Sequence, residues 1–207
     1  MESVKKKVIL KSIYSGTFIT LIMFFILFQS NCIGDSEYNR FSQGFGFTFE
    51  YPNRSGPEKW LIDPTFKYTD HISTGLLAPN IVDPEHESPV KVKILIWLDQ
   101  ESTAEEKAQD IISRQIIRTE GSSNFTIIRR ETVNLDEQTG YLVEYSFMFD
   151  SSPFEPPGKG MLIPTREMNI AIPRDQNVYD IWISASQNEW NRHEKFIEHI
   201  LDTFRWK

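Results

Sequence analysis

The sequence predicts an α+β domain built on a mostly antiparallel β-sheet, and three observations lead there. Four stretches alternate apolar and polar residues at period two: Phe45 to Tyr51, Val90 to Leu98, Tyr141 to Phe149 and Tyr179 to Ala185. Two longer runs place apolar residues at helical spacing behind a Ser-x-x-Glu capping signature. The connections between strands are too short for the repeated crossover helices that parallel strands need.

Before that domain comes a segment of another kind. Lys5, Lys6, Lys7 and Lys11 precede an uncharged apolar run from Ile13 to Phe28, followed by Gln29-Ser30-Asn31 and then Cys32, the only cysteine. Basic, apolar and polar parts in that order form an export signal over residues 1–31. The apolar run is shorter than the roughly 20 residues a helix needs to span a bilayer core. The segment resembles the lipoprotein signal of bacteria and archaea, in which the cysteine becomes the lipidated first residue of the mature protein. It departs from that pattern in carrying Asn31 and Gln29, where a small and an aliphatic residue are usual. An uncleaved N-terminal membrane helix is the alternative. Either way the lysines mark the cytoplasmic end, so the bulk of the chain is expected on the extracytoplasmic face, attached through a lipid on Cys32 or through the helix.

Residues 1–31 hold four of the 22 basic and one of the 29 acidic side chains, which leaves 18 against 28 and a net charge of −10 beyond them. Such a surface repels nucleic-acid phosphates and excludes nucleic acid as a natural partner. No cysteine follows Cys32, so the domain is held by its core and not by disulfides.

Asp35 to Gln43 is polar and aperiodic, which predicts a tether over residues 32–43 and a domain over 44–207. Phe45, Phe47, Phe49 and Tyr51 line one face of a first strand that Pro52 ends. Asn53 to Glu58 is a turn-rich loop, Trp60-Leu61-Ile62 a second apolar stretch, His71 to Leu77 a candidate strand, and Pro79 to Ser88 an acidic loop. Val90, Val92, Ile94, Ile96 and Leu98 alternate without a break, and the other face turns apolar at Leu95 and Trp97, as in a central strand covered on both sides. Ser102 with Glu105 reads as a capping box for a helix that buries Ala104, Ala108, Ile111, Ile112 and Ile116 and stops at Gly121. Phe125 to Ile128 and Thr132 to Leu135 form an interrupted strand turning at Asp136 to Gly140. Tyr141 to Phe149 is the next strand, and Ser151 to Gly160 a proline-rich connection. Met168, Ile170 and Ile172 mark another strand, Tyr179 to Ala185 the last. Ser186 with Glu189 predicts a second capping box, opening a helix with Trp190, Phe196, Ile197, Ile200 and Leu201 inward and Phe204 after it.

The run Gly44-Phe45-Gly46-Phe47-Thr48-Phe49-Glu50-Tyr51-Pro52 followed by Trp60 resembles the opening of PsbP-like domains. The element from Val133 to Tyr145 and the closing strand and helix, ending Ile200-Leu201-Asp202-Thr203-Phe204, are similar to that family too. The resemblance covers Phe41 to Trp206 and rests on core and turn residues. It implies an antiparallel sheet sandwiched by helices, an α/β/α arrangement shared with a eukaryotic Ran-binding protein. Plant and cyanobacterial members attach to the lumenal side of photosystem II as accessory, non-catalytic subunits, and many prokaryotic relatives are lipid-anchored and of unknown role. No binding residue is carried over.

The sequence holds no Gly-x-Ser-x-Gly elbow, no phosphate-binding loop and no cofactor motif, so no enzyme is predicted. His193 and His199, six residues apart, fall on different faces of a helix, which reads as solvated and not as a metal site. Asp83, Glu85, His86 and Glu87 gather oxygen and nitrogen ligands in one loop and are the metal candidate, though their spacing matches no defined loop. Phe154, between prolines, is the candidate contact point for a partner. The leading expectation is a membrane-anchored accessory or assembly module for a membrane complex. A lipoprotein that binds a small solute or divalent metal, and an enzyme whose site is assembled from distant residues, are the alternatives.

Overall fold

Strand β1 (Tyr38–Phe41) pairs antiparallel with β2 (Phe47–Pro52) and sets Phe41 opposite Phe49. The computed structural model describes residues 37–79, 88–98, 102–152 and 160–207; Cys32, Asp83, Glu85, His86, Glu87 and Phe154 lie outside them. β1 corrects the reading of residues 32–43 as a tether, since the compact unit begins at Tyr38. Phe41 is fully buried and stacks on Phe49 with ring centroids 4.6 Å apart. One buried aromatic in four residues leaves no periodicity for the sequence to display.

From β2 the chain passes through β3 (Leu61–Lys67), β4 (His71–Leu77) and β5 (Lys91–Leu98), crosses by helix α1 (Ala104–Thr119), and returns through β6 (Thr126–Leu135), β7 (Gln138–Asp150), β8 (Leu162–Arg174) and β9 (Asn177–Ser186). Helix α2 (Gln187–Asp202) and the short β10 (Arg205–Trp206) finish it. The main sheet runs β3-β4-β5-β9-β8-β7-β6 with every pairing antiparallel, and a small sheet runs β1-β2-β10. α1 packs on one face of the main sheet, against β7, β8 and β9. The other face carries α2 and the small sheet, whose Phe41, Phe47 and Phe49 join Val92, Ile94, Ile170, Ile181 and Trp190 in one core. The expected α+β, PsbP-like arrangement of a helix-covered antiparallel sheet is what the chain adopts, with β5 between β4 and β9.

Both capping boxes differ from expectation. At α1 the cap is Thr103, one residue later than read: its hydroxyl accepts from the Glu106 amide at 3.2 Å, and Glu106 Oε2 accepts from the Thr103 amide at 3.1 Å. Ser102/Glu105 and Thr103/Glu106 both satisfy the motif, and the helix register selects the second. At α2, Ser186 has cap geometry but no side-chain cap bond. Its amide already donates to the Ser88 carbonyl at 3.0 Å, so Glu189 has no cap to close and instead turns inward to Arg192 and His193. The β6–β7 turn is also tighter than predicted. Asp136 and Glu137 both have positive φ, 48° and 69°, as a two-residue primed turn requires. Gly140 belongs to strand β7, where a Cβ would stand 2.8 Å from Ile172 Cγ1. β6 is one strand with a register shift between Ile127 and Arg129, which is what broke its pattern in the sequence.

Candidate functional site

Strand register brings a polar row onto the face under α1. Tyr145 on β7 lies opposite Glu167 on β8, Glu167 opposite Ser184 on β9, and Ser184 opposite Lys91 on β5. Glu167 is buried at the centre. Tyr145 donates its hydroxyl proton to Glu167 Oε2 at 2.7 Å, Ser184 donates to Oε1 at 3.1 Å, and Arg118, in the last turn of α1, reaches Oε2 at 3.5 Å. Asn169 Nδ2 donates to the Tyr145 oxygen at 3.3 Å, which makes a chain of Asn169, Tyr145, Glu167 and Ser184. Burial raises the Tyr145 pKa, and the adjacent Glu167 charge and hydrogen bond raise it further, so the phenol remains a donor.

Asp180, on the same face of β9, is fully buried. Burial pushes its carboxyl up to about 7, against the pull of the Trp97 indole and the Arg118 charge. Beyond the end of α1 a cavity of about 360 Å³ opens over this row. Its lining includes Lys91, Arg118, Glu167, Phe147, Phe149 and Trp182. A second cavity of about 350 Å³ lies between α1 and β6, beside the Gln109 to Tyr141 hydrogen bond.

The face under α2 treats its charges differently. Glu144, buried on β7, is bridged by Arg129 at 2.6 Å and by Arg166, whose guanidinium lies 4.7 Å above the Trp190 ring. His193 is buried, not solvated as the sequence suggested, edge-on to Trp60 at 5.7 Å. Its Nε2 is 3.4 Å from Glu189, but burial, aided by the Arg192 charge, outweighs that contact and holds the imidazole pKa below its ordinary value. His199 stacks instead on Tyr38, with centroids 3.8 Å apart, so the two histidines do not converge.

The sheet edges contrast as well. On and beside β3, Leu61, Ile62, Phe66 and Tyr68 are each about half exposed. The opposite edge strand β6 exposes Ile127 and Ile128 but follows them with Arg129, Arg130 and Glu131, charges of the sort that guard an edge from pairing.

The structure therefore brings together residues that the sequence reading passed over. Asn169 and Asp180 stand between apolar neighbours in alternating strands, and Glu167 follows Arg166 just before one; alternation assigns all three to a solvent face. The signal that separates them from surface residues is the second helix, since two amphipathic helices need a sheet face each to cover. Among the described residues no group of three His, Cys, Asp or Glu is arranged to hold a metal. None of these residues forms a helix long and apolar enough to cross a membrane.

No protein-family model matches the sequence, and no curated protein matches it. Solved structures do. The cyanobacterial PsbP (CyanoP) of Synechocystis sp. PCC 6803 superposes with a TM-score of 0.54 at 14% identity, over 85% of this chain and 96% of that one. LpqN of Mycobacterium tuberculosis, described as involved in cell envelope biogenesis, gives 0.42 at 12% identity over 85% of this chain and 95% of its own. A Pseudomonas aeruginosa protein of unknown function, PA94, gives 0.40 at 13% identity over 81% of this chain and 96% of that one. The first comparison defines the class: the fold is PsbP-like. At that level of identity it carries the fold and no site.

Proposed function

We propose that this chain is a membrane-tethered, extracytoplasmic, non-catalytic PsbP-like module that serves a membrane complex as an accessory or assembly subunit, docking through the β3 edge. The observation that carries the reading is that edge. Leu61, Ile62, Phe66 and Tyr68 present apolar and aromatic surface on the outermost strand of the main sheet. Among the described residues no strand pairs with the outer side of β3, so its edge and side-chain anchors suit an extended segment of a partner. The lysine-flanked apolar segment ending at Cys32 supports the tether, and the PsbP-like fold agrees with an accessory role.

Crosslinking in native membranes followed by purification through a C-terminal tag tests it. A reproducible partner complex should be recovered with the native chain and lost from the Leu61→Ser/Phe66→Ser double variant. Recovery of the same complex by the variant overturns docking through β3, and no partner above background overturns the accessory role. For the tether, Cys32→Ser should leave export intact and abolish lipid labelling; labelling that persists contradicts a lipid on Cys32.

A further inference from the structure

Among the described residues, the lining of the cavity at the end of α1 has a charge opposite to that of the whole molecule. The chain carries a net −7, yet two cations, Lys91 and Arg118, line this cavity against one carboxylate, Glu167. Glu167 is already held by Tyr145 and Ser184. Arg118 reaches it only at 3.5 Å, with most of its side chain exposed. Lys91 has no salt-bridge partner among the described residues. The place of Arg118 has a structural account, because a cation in the last turn of a helix complements the helix dipole. Lys91 is different: it opens strand β5 half-buried, with no ion pair among the described residues to offset the cost of its charge.

Phe147, Phe149 and Trp182 supply the remaining character, an apolar and aromatic surface beside the two cations. At about 360 Å³ the cavity is at the small end of the range in which compact organic ligands are enclosed. A guanidinium and an ammonium together favour a carboxylate through charge-assisted hydrogen bonds. The nearby Glu167 carboxylate narrows the choice, because a dianion against Arg118 meets a like charge while a monoanion meets less of it.

We propose that this cavity binds a small monocarboxylate with an apolar body, its carboxylate on Arg118 and Lys91 and its body against Phe147, Phe149 and Trp182. The site is independent of the docking surface, since none of Leu61, Ile62, Phe66 or Tyr68 lines it.

The test uses the full chain in detergent micelles, titrated with 3-phenylpropionate, the neutral 3-phenylpropionamide and phenyl phosphate, and followed by calorimetry and by tryptophan fluorescence. The carboxylate should bind saturably and about tenfold or more tighter than the amide, the factor that one charge-assisted hydrogen bond supplies. It should also bind tighter than the phosphate. Arg118→Gln, in protein shown to be folded, should remove about tenfold of the carboxylate affinity and leave the weak binding of the amide as it was. Should Arg118→Gln not fold, Lys91→Gln carries the same test. Equal binding of acid and amide, preference for the phosphate, no saturable binding of the carboxylate to the folded protein, or undiminished affinity in the folded variants each overturns the assignment.

Discussion

The two faces of the main sheet are built from the same strands and solve opposite problems. Under α2, Phe41, Phe47, Phe49, Phe204 and Trp190 fill a continuous aromatic core, and the one carboxylate buried on the strands there, Glu144, is bridged by two arginines. Under α1 the apolar part is smaller, with Ala108, Ile111, Ile112, Val143, Ala171 and Val178, and it is interleaved with Tyr145, Glu167, Asn169 and Asp180. Burying polar groups costs stability unless each finds a partner, so the smaller, polar-interleaved face contributes less to the fold than the larger aromatic one. The α2 face is where stability resides.

The comparison can be broken most forcefully from the aromatic side. Trp190→Ala should destabilise the protein by about 3–5 kcal/mol in urea unfolding, because it opens a cavity in the larger core and strips Arg166 of the ring beneath it. A loss below about 1 kcal/mol would show that the α2 face is not the principal core.

The next effect is a pair of pH dependences with opposite signs. The folded protein holds Asp180 protonated up to about 7, whereas the unfolded chain releases that proton in the ordinary carboxyl range. Stability from this group is therefore lost as pH rises through that interval, by about 4 kcal/mol at most. Asp180→Asn cannot ionise, so its Tm should match that of the native protein near about pH 4 and exceed it near about pH 8. His193, on the other face, has a lowered pKa, so the folded state resists a proton that the unfolded chain accepts, and stability is lost as pH falls through the ordinary imidazole range. His193→Gln should flatten that acidic limb and leave the alkaline one. A Tm profile in which both variants parallel the native curve would contradict both assignments.

A smaller effect sharpens the polar row. Tyr145→Phe removes the 2.7 Å hydrogen bond to Glu167 and should cost about 1–2 kcal/mol, since Glu167 keeps Ser184 and Arg118. A neutral outcome would mean that the row is already solvated enough to replace the phenol with water.

Much of this was legible before the structure, and the rest was hidden for identifiable reasons. The α2-facing residues Val92, Ile94, Ile96, Met168, Ile170, Ile172, Ile181 and Ile183 recur at period two, so the strands and their inner face could be read directly. The polar residues of the alternate face look the same whether water or a helix covers them, so Glu167, Asn169 and Asp180 read as surface. β3 escaped because both its faces are exposed, which removes the alternation a half-buried strand displays, and because Pro64 interrupts it. The capping motifs were seen, but competing hydrogen bonds settled their register and use: Thr103 over Ser102 at α1, and the Ser88 carbonyl in place of Glu189 at α2. His193 was placed on the correct helix with the wrong exposure, since Trp60, which packs beside it, is far away in the sequence.

The two edges of the sheet decide the functional claim. A photocrosslinking residue placed at Phe66, on the apolar β3 edge, and another at Ile128, on the charge-guarded β6 edge, should be compared in native membranes with the full chain. Docking through β3 predicts one discrete crosslinked partner from position 66 and none from position 128. A partner captured from position 128 alone, equal capture from both, or none from position 66 would contradict it.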